Sequence, residues 1–328
     1  DVEVCAPYDD LDAARRFARA VDVVTFEFEN IPSETLRVIA EERPVHPSPD
    51  VLHTCRHRLR EKEFLSGAGF PVARHRPITS ADELRIALGE LGTPAILKTA
   101  DFGYDGKGQV RIESPGQVDD AWNRMGRPVG VLEALVPFDK EISVICARGV
   151  TGECRCFGPV ENVHARHILD VTTAPADVSP KLAGRAVELT RSIAAKLDVV
   201  GLITAELFVV GDDLLVNELA PRPHNSGHYT VDACVSSQFE QQLRAVCGLP
   251  LGDERQVQPA AMANLLGDLW QSGEPDWAAA LAIADVKLHL YGKHEARPGR
   301  KMGHMTALAS TAAEARERVL AARRMLVR

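Results

Sequence analysis

Two apolar runs near the middle of the chain constrain its fold most strongly, because only three residues separate them. Runs 201–210 and 214–219 have the composition of β-strands, and the Gly-Asp-Asp between them is typical of a turn. A hairpin with a three-residue loop places Glu206 directly opposite Glu218, with Cβ atoms about 5 Å apart. The chain is therefore expected to contain an antiparallel strand pair that presents two facing carboxylates.

Facing carboxylates repel each other, so such a pair needs a partner that neutralises it. A divalent cation does this, and Mg²⁺ prefers oxygen ligands and commonly links protein carboxylates to nucleotide phosphates. We predict a magnesium site at Glu206 and Glu218. Two alternatives stand beside this prediction: one glutamate pairs with Arg222, or the strand register differs.

A glycine-rich stretch over residues 94–109 predicts a second functional feature. An apolar strand leads to Lys98, three glycines follow within residues 103–108, and strand character returns at 110–112. Glycines allow backbone N–H groups to fold over an anion, and Lys98 and Lys107 add positive charge. The stretch predicts a hairpin that covers a phosphate, although a simple turn has the same pattern. It is neither a Walker A loop nor a dinucleotide fingerprint, because a strand follows it instead of a helix.

The composition restricts the class of protein. With 328 residues, 45% of them hydrophobic and 26% charged, the chain is long enough for two or three globular domains. A net charge of −8 without a domain-wide basic face argues against nucleic acid as a partner. No apolar run reaches the roughly 18–20 residues of a membrane span, and no signal peptide pattern is present. The seven scattered cysteines are expected to be reduced core thiols of a cytosolic protein.

The N-terminal residues alternate between strand and helix patterns. Strands are predicted at 2–6 and 23–30, and each is followed by a helix. This β-α-β-α order is typical of a parallel sheet. Glu27 and Glu29 lie in the second strand, where acidic residues either face a ligand crevice or cap neighbouring groups.

Prolines at 44, 47 and 49 and a change in composition near residue 250 divide the chain. We predict domains at 1–48, 49–250 and 251–328, with a lid subdomain at about 72–134. Helix 49–68 carries a run of charges, which usually marks a solvated helix face. The other predicted elements are helices 80–91, 117–125, 179–197, 277–284 and 311–326, and strands 129–136, 138–146, 156–163, 261–266 and 286–291.

Two polar loops bring positive charge to this acidic chain. Residues 221–229 contain Arg222, His224 and Asn225 directly after the second strand of the hairpin, which predicts an anion or substrate site, although ordinary loops carry such residues too. Residues 292–304 place four lysines and arginines within nine positions of a turn rich in glycine and proline. Arginine forks suit phosphate oxygens, so this turn is predicted to clamp a phosphate, the alternative being a solvated basic loop.

Three segments together resemble one known family. They are TFEFEN at 25–30, YDGKGQ at 104–109 and NELAPRPHNSGH at 217–228. Over nearly its whole length the chain resembles the 5-(carboxyamino)imidazole ribonucleotide synthetases, the ATPase subunit type of phosphoribosylaminoimidazole carboxylase. The resemblance implies an α/β ATP-grasp fold with an N-terminal parallel-sheet (pre-ATP-grasp) domain that lacks its first strand, and a small C-terminal β-rich domain.

The resemblance also implies the reaction. ATP, bicarbonate and 5-aminoimidazole ribonucleotide would give the carboxyamino nucleotide, ADP and phosphate, with Mg²⁺ as cofactor. Bicarbonate would attack the γ-phosphate, and the carboxyphosphate so formed would release CO₂ next to the exocyclic amine. A cytoplasmic homodimer without nucleic-acid or membrane partners is implied.

Carried over position by position, the resemblance assigns roles to individual residues. The ATP contacts are Arg58, Lys98, Gly103, Tyr104, Asp105, Gly106, Lys107, Gly108, Gln109, Glu133, Ala134, Leu135, Val136, Glu141, His164, Asn217 and Glu218. The metal ligands are Glu206 and Glu218. The catalytic candidates are Tyr104, Asp105, Arg222, His224 and Asn225, with Asp105 orienting the amine. The contacts to the ribonucleotide phosphate are Lys293 and Arg300.

The chain departs from the family pattern at its start. The family's opening strand with its GGGQLGR-type loop has no match, and the first residue is Asp1, so the chain is expected to start past that segment. Two further functions are considered: another ATP-grasp carboxylase or formate-dependent transformylase, and a catalytically inactive ATP-binding protein. Lys98, Glu206 and Glu218 argue against the inactive protein.

Overall fold

The structure is a computed structural model that describes residues 3–101 and 108–327. It contains two antiparallel sheets, one of four strands and one of eight. No helix in these two ranges combines the length and the apolar character of a membrane span. The described residues do not include Gly103, Tyr104, Asp105, Gly106 and Lys107, so the contacts predicted for them stay predictions.

The N-terminal segment folds as two helices over a small apolar core. They are α1 (Leu11–Arg19) and α2 (Ser33–Glu42). Val24 forms a single parallel bridge with Val45, and residues 3–6 are exposed and unpaired by any described strand. The predicted strands 2–6 and 23–30 are therefore wrong within the described residues, although the bridge has the predicted parallel direction. A strand persists only where neighbouring strands take up its backbone hydrogen bonds.

Residues 49–68 form two helices where the sequence predicted one. They are α3 (Pro49–Cys55) and α4 (Arg58–Gly67). His57 separates them with an extended backbone, and its ring Nδ1 accepts a hydrogen bond from the N–H of Arg60 at 3.5 Å. Lys62 on α4 belongs to the charge run predicted to be solvated but is only 1% exposed, so that prediction is wrong for this residue, and the neighbouring Glu61 is only 2% exposed.

The smaller sheet is covered by two helices. Its strands are β1 (His75–Ile78), β2 (Ala95–Thr99), β3 (Gln109–Ile112) and β4 (Gly130–Ala134), and the helices are α5 (Ala81–Leu91) and α6 (Val118–Met125). The strand order is β1-β4-β2-β3. Lys98 on β2 pairs with Gln109 on β3, which confirms that the glycine-rich stretch connects paired strands. Gly108 has a φ of +72°, and a Cβ there would lie 2.5 Å from the Thr99 hydroxyl, so this position requires glycine.

The larger sheet extends from the centre of the chain into its C-terminal part. Its strands are β5 (Lys140–Arg148), β6 (Cys154–Ala165), β7 (Ile168–Ala174), β8 (Gly201–Val210), β9 (Asp213–Ala220), β10 (Ala260–Leu266), β11 (Val286–Leu290) and β12 (Lys301–Leu308). The order is β11-β12-β10-β7-β6-β5-β8-β9. The C-terminal strands join the hairpin sheet because β10 pairs with β7.

Sequence patterns missed β1, β7 and β12. The turn before β7 consists of Arg166 and His167, both at positive φ, where glycine or asparagine would have given the usual hairpin signal. Strand β12 begins inside the stretch 292–304, which the sequence predicted to be a basic turn. A hairpin built from residues that rarely adopt positive φ leaves little trace in the sequence.

Five further helices cover the larger sheet. They are α7 (Pro180–Lys196), α8 (Thr230–Ala233), α9 (Gln238–Val246), α10 (Trp277–Leu281) and α11 (Ala312–Met325). The side chains of Ser179 and Thr311 accept hydrogen bonds from the N–H groups of Leu182 and Glu314, and so cap the N-termini of α7 and α11. Ile193 of α7 belongs, together with Ile142 and Ile203, to the largest apolar cluster of the described residues.

The cysteines are free thiols in the described chain, but the predicted core location holds for only some of them. Cys55 and Cys146 are buried, whereas Cys5 and Cys247 are exposed. Cys146 on β5 pairs with Cys156 on β6.

Candidate active site

The predicted hairpin is formed by β8 and β9, and it places Glu206 opposite Glu218. The turn between the strands has two residues instead of three, because Val210 pairs with Asp213. A β-bulge with Asn217 as its additional residue then shifts the register by one and restores the predicted pair. The prediction of facing carboxylates is confirmed, although the turn length that supported it was wrong.

The environment of both carboxylates disfavours their ionised forms. Glu206 is 7% exposed, and burial, followed by the neighbouring Glu141, raises its pKa to about 7. Glu218 is exposed to solvent, but the protein atoms around it, followed by the charge of Glu206, raise its pKa. A hard cation between these oxygens would remove the repulsion and favour the ionised forms. The donor set therefore fits Mg²⁺.

The arginine considered as an alternative partner of the glutamates contacts a different acid. Arg222 Nε lies 3.0 Å from Oε1 of Glu29. Glu29 belongs to the N-terminal segment, where the sequence left a crevice role and a capping role open, and here it is the ion-pair partner of Arg222. Glu206 instead has His224 as its neighbour, with Nε2 lying 3.0 Å from Oε1.

A buried chain of hydrogen bonds orients His224. Its Nδ1 lies 2.8 Å from Oγ of Ser226, which in turn lies 2.7 Å from Oγ of Ser143 on β5. Asn162 on β6 donates from Nδ2 to the Ser143 Oγ at 2.9 Å. Burial, followed by the charge of Arg222, lowers the pKa of His224 to about 3, so the ring is neutral near pH 7. A neutral, fixed imidazole is suited to hydrogen bonding with a polar ligand.

The next residue of this loop has unused hydrogen-bonding capacity. The side-chain nitrogen and oxygen of Asn225 are both buried, and neither has a partner in the described part of the chain. Gln238 holds the loop, because it accepts from the N–H of His224 at 2.9 Å and donates to the His224 carbonyl at 2.8 Å. A buried amide without partners costs free energy, which is typical of a position that binds a ligand.

Two lysines and one glutamate form a buried charged cluster beside the hairpin. Glu133 Oε2 lies 3.0 Å from Lys98 Nζ, and its Oε1 lies 3.8 Å from Lys62 Nζ. Burial opposes ionisation of Glu133, but Lys98 and Lys62 hold its pKa at about 2. The Glu133 carboxylate is thus paired with the two lysines. The N–H groups of Ala134 and Leu135 donate hydrogen bonds to carbonyl groups of preceding segments. A contact of residues 133–136 with adenine would therefore use other backbone groups.

The remaining predicted nucleotide contacts lie around the same hairpin. Arg58 donates from Nη1 to the carbonyl oxygen of Thr99 at 3.1 Å. Glu141 Oε2 lies 3.1 Å from Nδ1 of His164. Glu141, His164 and Glu206 each have a polar atom within 4.8 Å of the others. The structure thus brings most of the predicted polar residues into one region.

The basic turn is held together by its own backbone. Lys293 Nζ donates to the carbonyl oxygen of Lys301 at 2.7 Å, and Arg300 Nη1 donates to that of Glu295 at 2.9 Å. Burial, followed by the charges of Arg300 and Lys301, lowers the pKa of Lys293. Lys301 also contributes to the lowered pKa of His224, so the turn lies near the loop that carries it. This concentration of cations fits an anionic group.

Sequence reasoning missed several residues of the site. They are Glu61, Lys62, Ser143, Asn162 and Ser226. Ser226 lies inside the HNSGH motif, and Lys62 stands four residues after Arg58, which puts both on one face of α4. That spacing was the available signal for Lys62.

A second polar cluster lies among the C-terminal strands. Asp232, His289 and His304 each have a ligand-type atom within 4.8 Å of the others. Nδ1 of His304 lies 2.9 Å from the hydroxyl of Tyr291, and its buried Nε2 has no partner in the described ranges. Burial, followed by His228 and His289, lowers the pKa of His304 to about 2.

This buried histidine predicts a pH-dependent stability. The unfolded chain binds a proton at His304 below about pH 6.5 whereas the folded chain does not, so the free energy of unfolding should fall as the pH drops below 6.5. We expect His304→Asn, which keeps a nitrogen near Tyr291, to reduce this slope by at most about 1.4 kcal/mol per pH unit. Urea unfolding at pH 7, 6 and 5 measures it. Parallel profiles for the two proteins would contradict the prediction.

Family models match three segments of the chain. The ribonucleotide synthetase preATP-grasp domain matches residues 1–56, the ATP-grasp domain matches 63–239, and the phosphoribosylaminoimidazole carboxylase C-terminal domain matches 260–318. Curated relatives agree with these matches. N5-carboxyaminoimidazole ribonucleotide synthase of Bacillus subtilis is 43% identical over 93% of this chain and 80% of its own length. The Pseudomonas aeruginosa protein of that name is 40% identical over 92% of this chain and 81% of its own length.

Solved structures give the same result. An ADP complex of N5-carboxyaminoimidazole ribonucleotide synthetase has a TM-score of 0.93 and 40% identity, and the match covers 98% of this chain and 85% of that one. The Aspergillus clavatus synthase with ADP and 5-aminoimidazole ribonucleotide has a TM-score of 0.89 and 32% identity, and the match covers 98% and 86%.

Proposed function

The chain belongs to the N5-carboxyaminoimidazole ribonucleotide synthase family of ATP-grasp ligases, and we propose how its residues perform the reaction of that family. The reaction is the ATP-dependent carboxylation of 5-aminoimidazole ribonucleotide in purine biosynthesis. In our proposal bicarbonate supplies the carboxyl group, Mg²⁺ is the metal, and the protein acts as a cytoplasmic homodimer. Its three domains are proposed to be residues 1–48, 49–250 and 251–328.

The assignment of the reacting centre rests on the facing pair of Glu206 and Glu218. Arg58 and Lys98 lie close enough for their positive charges to act against the raised pKa of Glu218. The carboxylates that would bind the metal and the cations that would bind the phosphates therefore lie close together. Mg²⁺ held by the two glutamates would offset phosphate charge and polarise the γ-phosphoryl group.

ATP would lie between the two sheets. Lys98 and Arg58 would contact its phosphates, and the glycine-rich stretch up to Gly108 and Gln109 would cover them. The remaining contacts would be the backbone of residues 133–136 at adenine, Glu141 at the ribose hydroxyls, and His164 and Asn217 near the nucleotide.

Bicarbonate would bind at the loop after β9. Arg222, fixed by Glu29, provides positive charge, and neutral His224 and the unpaired Asn225 amide provide hydrogen bonds. Attack of bicarbonate on the γ-phosphate releases ADP and gives carboxyphosphate, which loses phosphate to leave CO₂. The exocyclic amine of the ribonucleotide adds to CO₂ and loses a proton. Tyr104 and Asp105, which lie outside the described residues, stay predicted to act near that amine.

The basic turn is proposed to bind the phosphate of the ribonucleotide through Lys293 and Arg300. Arg300→Ala should raise the apparent KM for the ribonucleotide about 10–100-fold, because a hydrogen bond between charged groups contributes about 1.5–3 kcal/mol. The KM for ATP should change little. Steady-state kinetics with each substrate varied in turn measure both values.

Arg316→Ala is the matched control, because Arg316 is exposed on α11. This variant should leave both KM values unchanged. If Arg300→Ala instead raises both values equally, the turn has a folding role.

The proposed function is tested by ADP formation from Mg-ATP and bicarbonate, with and without 5-aminoimidazole ribonucleotide. Strong stimulation by the ribonucleotide, with incorporation of labelled bicarbonate into the nucleotide, is the expected result. ATP binding without stimulation would contradict the proposal.

A further inference from the structure

Helix α4 contacts the backbone of β9 on both sides of Glu218. Glu61 Oε2 accepts a hydrogen bond from the N–H of Leu219 at 2.8 Å, and Lys62 Nζ donates to the carbonyl oxygen of Asn217 at 2.8 Å. Both side chains are almost completely buried. Two consecutive residues of one helix therefore hold the residues immediately before and after a proposed metal ligand.

The strand needs this support because its pairing is irregular. Asn217 is the additional residue of the bulge, and β9 lies at the edge of the eight-stranded sheet. A buried backbone group that leaves the ladder has to find another partner. Lys62 provides it for Asn217, and its Nζ also lies 3.4 Å from the carbonyl oxygen of Val216.

Lys62 also connects this strand with the smaller sheet. Its Nζ lies 3.8 Å from Oε1 of Glu133, and the other oxygen of Glu133 lies 3.0 Å from Lys98. A continuous set of contacts therefore joins the backbone at Asn217 to a lysine on the other sheet. These contacts couple the position of Glu218, the proposed metal ligand, to that of Lys98, the proposed phosphate contact.

We propose that Glu61 and Lys62 are positioning residues, which hold Glu218 in the geometry that binds a divalent cation and align Lys98 with it. They act through the backbone of β9 and through Glu133. The inference rests on the proposed metal role of Glu218, and it adds two buried residues, of which Lys62 belongs to the charge run that the sequence predicted to be solvated.

The test compares ADP binding with and without Mg²⁺, in the absence of the ribonucleotide, so that it does not depend on carboxylation. Lys62→Met keeps most of the side-chain volume and removes the donor. It should reduce the gain in ADP affinity that Mg²⁺ provides by about tenfold or more, as is usual for residues that orient metal ligands. Binding of metal-free ADP should change less than this, because it depends on the alignment of Lys98 but not on the metal ligand. Lys181→Met, at an exposed position of α7, is the control and should behave as the wild type.

Substitutions of Glu61 test the same inference if Lys62→Met does not fold. Glu61→Gln keeps an acceptor for the N–H of Leu219 and should retain the Mg²⁺ response, whereas Glu61→Leu should lose it. In turnover assays Glu61→Leu should lower kcat and leave the KM for the ribonucleotide unchanged.

Two outcomes would overturn the inference, and they differ in what they say of the proposed function. A full Mg²⁺ response in Lys62→Met, or equal responses of the two Glu61 variants, overturns the positioning role alone. A wild-type protein whose ADP affinity ignores Mg²⁺ overturns the metal assignment of Glu218 and the positioning role with it.

Discussion

Glu218→Gln is expected to lower the kcat for carboxylation by about 10²–10³-fold while leaving the metal-free protein at least as stable as the wild type. The amide has the shape of the carboxylate but lacks the negative charge that Mg²⁺ prefers in a ligand. Without metal the same charge is unfavourable, because the surrounding protein atoms and Glu206 raise the pKa of Glu218. Removing it relieves repulsion in the folded state. Loss of turnover and a maintained melting temperature should therefore occur together.

Three measurements check this expectation. They are kcat at saturating substrates, the ADP dissociation constant with and without Mg²⁺, and the melting temperature in the presence of a chelator. Glu188→Gln on the exposed face of α7 is the control and should match the wild type in all three. Near-normal turnover of Glu218→Gln would remove the metal assignment, and a lower melting temperature without metal would contradict the argument from repulsion.

The facing glutamates could be predicted from the sequence because strand alternation and a short loop leave few possible registers. The prediction is nevertheless correct only because two errors, one in the turn length and one in the register, cancelled. The turn is one residue shorter than assumed, and the bulge at Asn217 compensates for it. A bulge depends on which neighbour takes up the released backbone groups, here Lys62 from a helix more than 150 residues earlier in the chain. Such a contact has no local signal.

Buried charges were the least predictable part of the site. A run of charges on α4 has the pattern of a solvated face, and only the tertiary structure shows that Glu61 and Lys62 point inward. The prediction of the N-terminal strands was wrong for a related reason. The alternation at 23–30 is genuine, but Val24 has Val45 as its single bridge partner in the described residues. Periodicity predicts a strand, while its neighbours decide whether it forms.

Glu133→Ala is expected to destabilise the protein by about 3–5 kcal/mol, the usual cost of removing one partner from a buried ion pair. Glu133 lies 3.0 Å from Lys98 and 3.8 Å from Lys62, and both lysines are buried. Its removal leaves two ammonium groups without their carboxylate in a poorly solvated place. An exposed pair gives the matched control: Glu90→Ala, which removes the partner of Arg76, should cost at most about 1 kcal/mol.

The pH dependence of this destabilisation identifies its cause. Burial already lowers the pKa of Lys62 from its ordinary 10.5, whereas the charge of Glu133 raises it. Loss of Glu133 should therefore lower the pKa of Lys62 further. Between that lowered pKa and 10.5 the unfolded chain binds more protons than the folded chain, so the stability of Glu133→Ala should rise with pH relative to the wild type. Urea unfolding of both proteins at pH 7, 8 and 9 measures the difference. A deficit that stays constant over this range would point to lost packing instead of unpaired charge, because a cavity does not titrate.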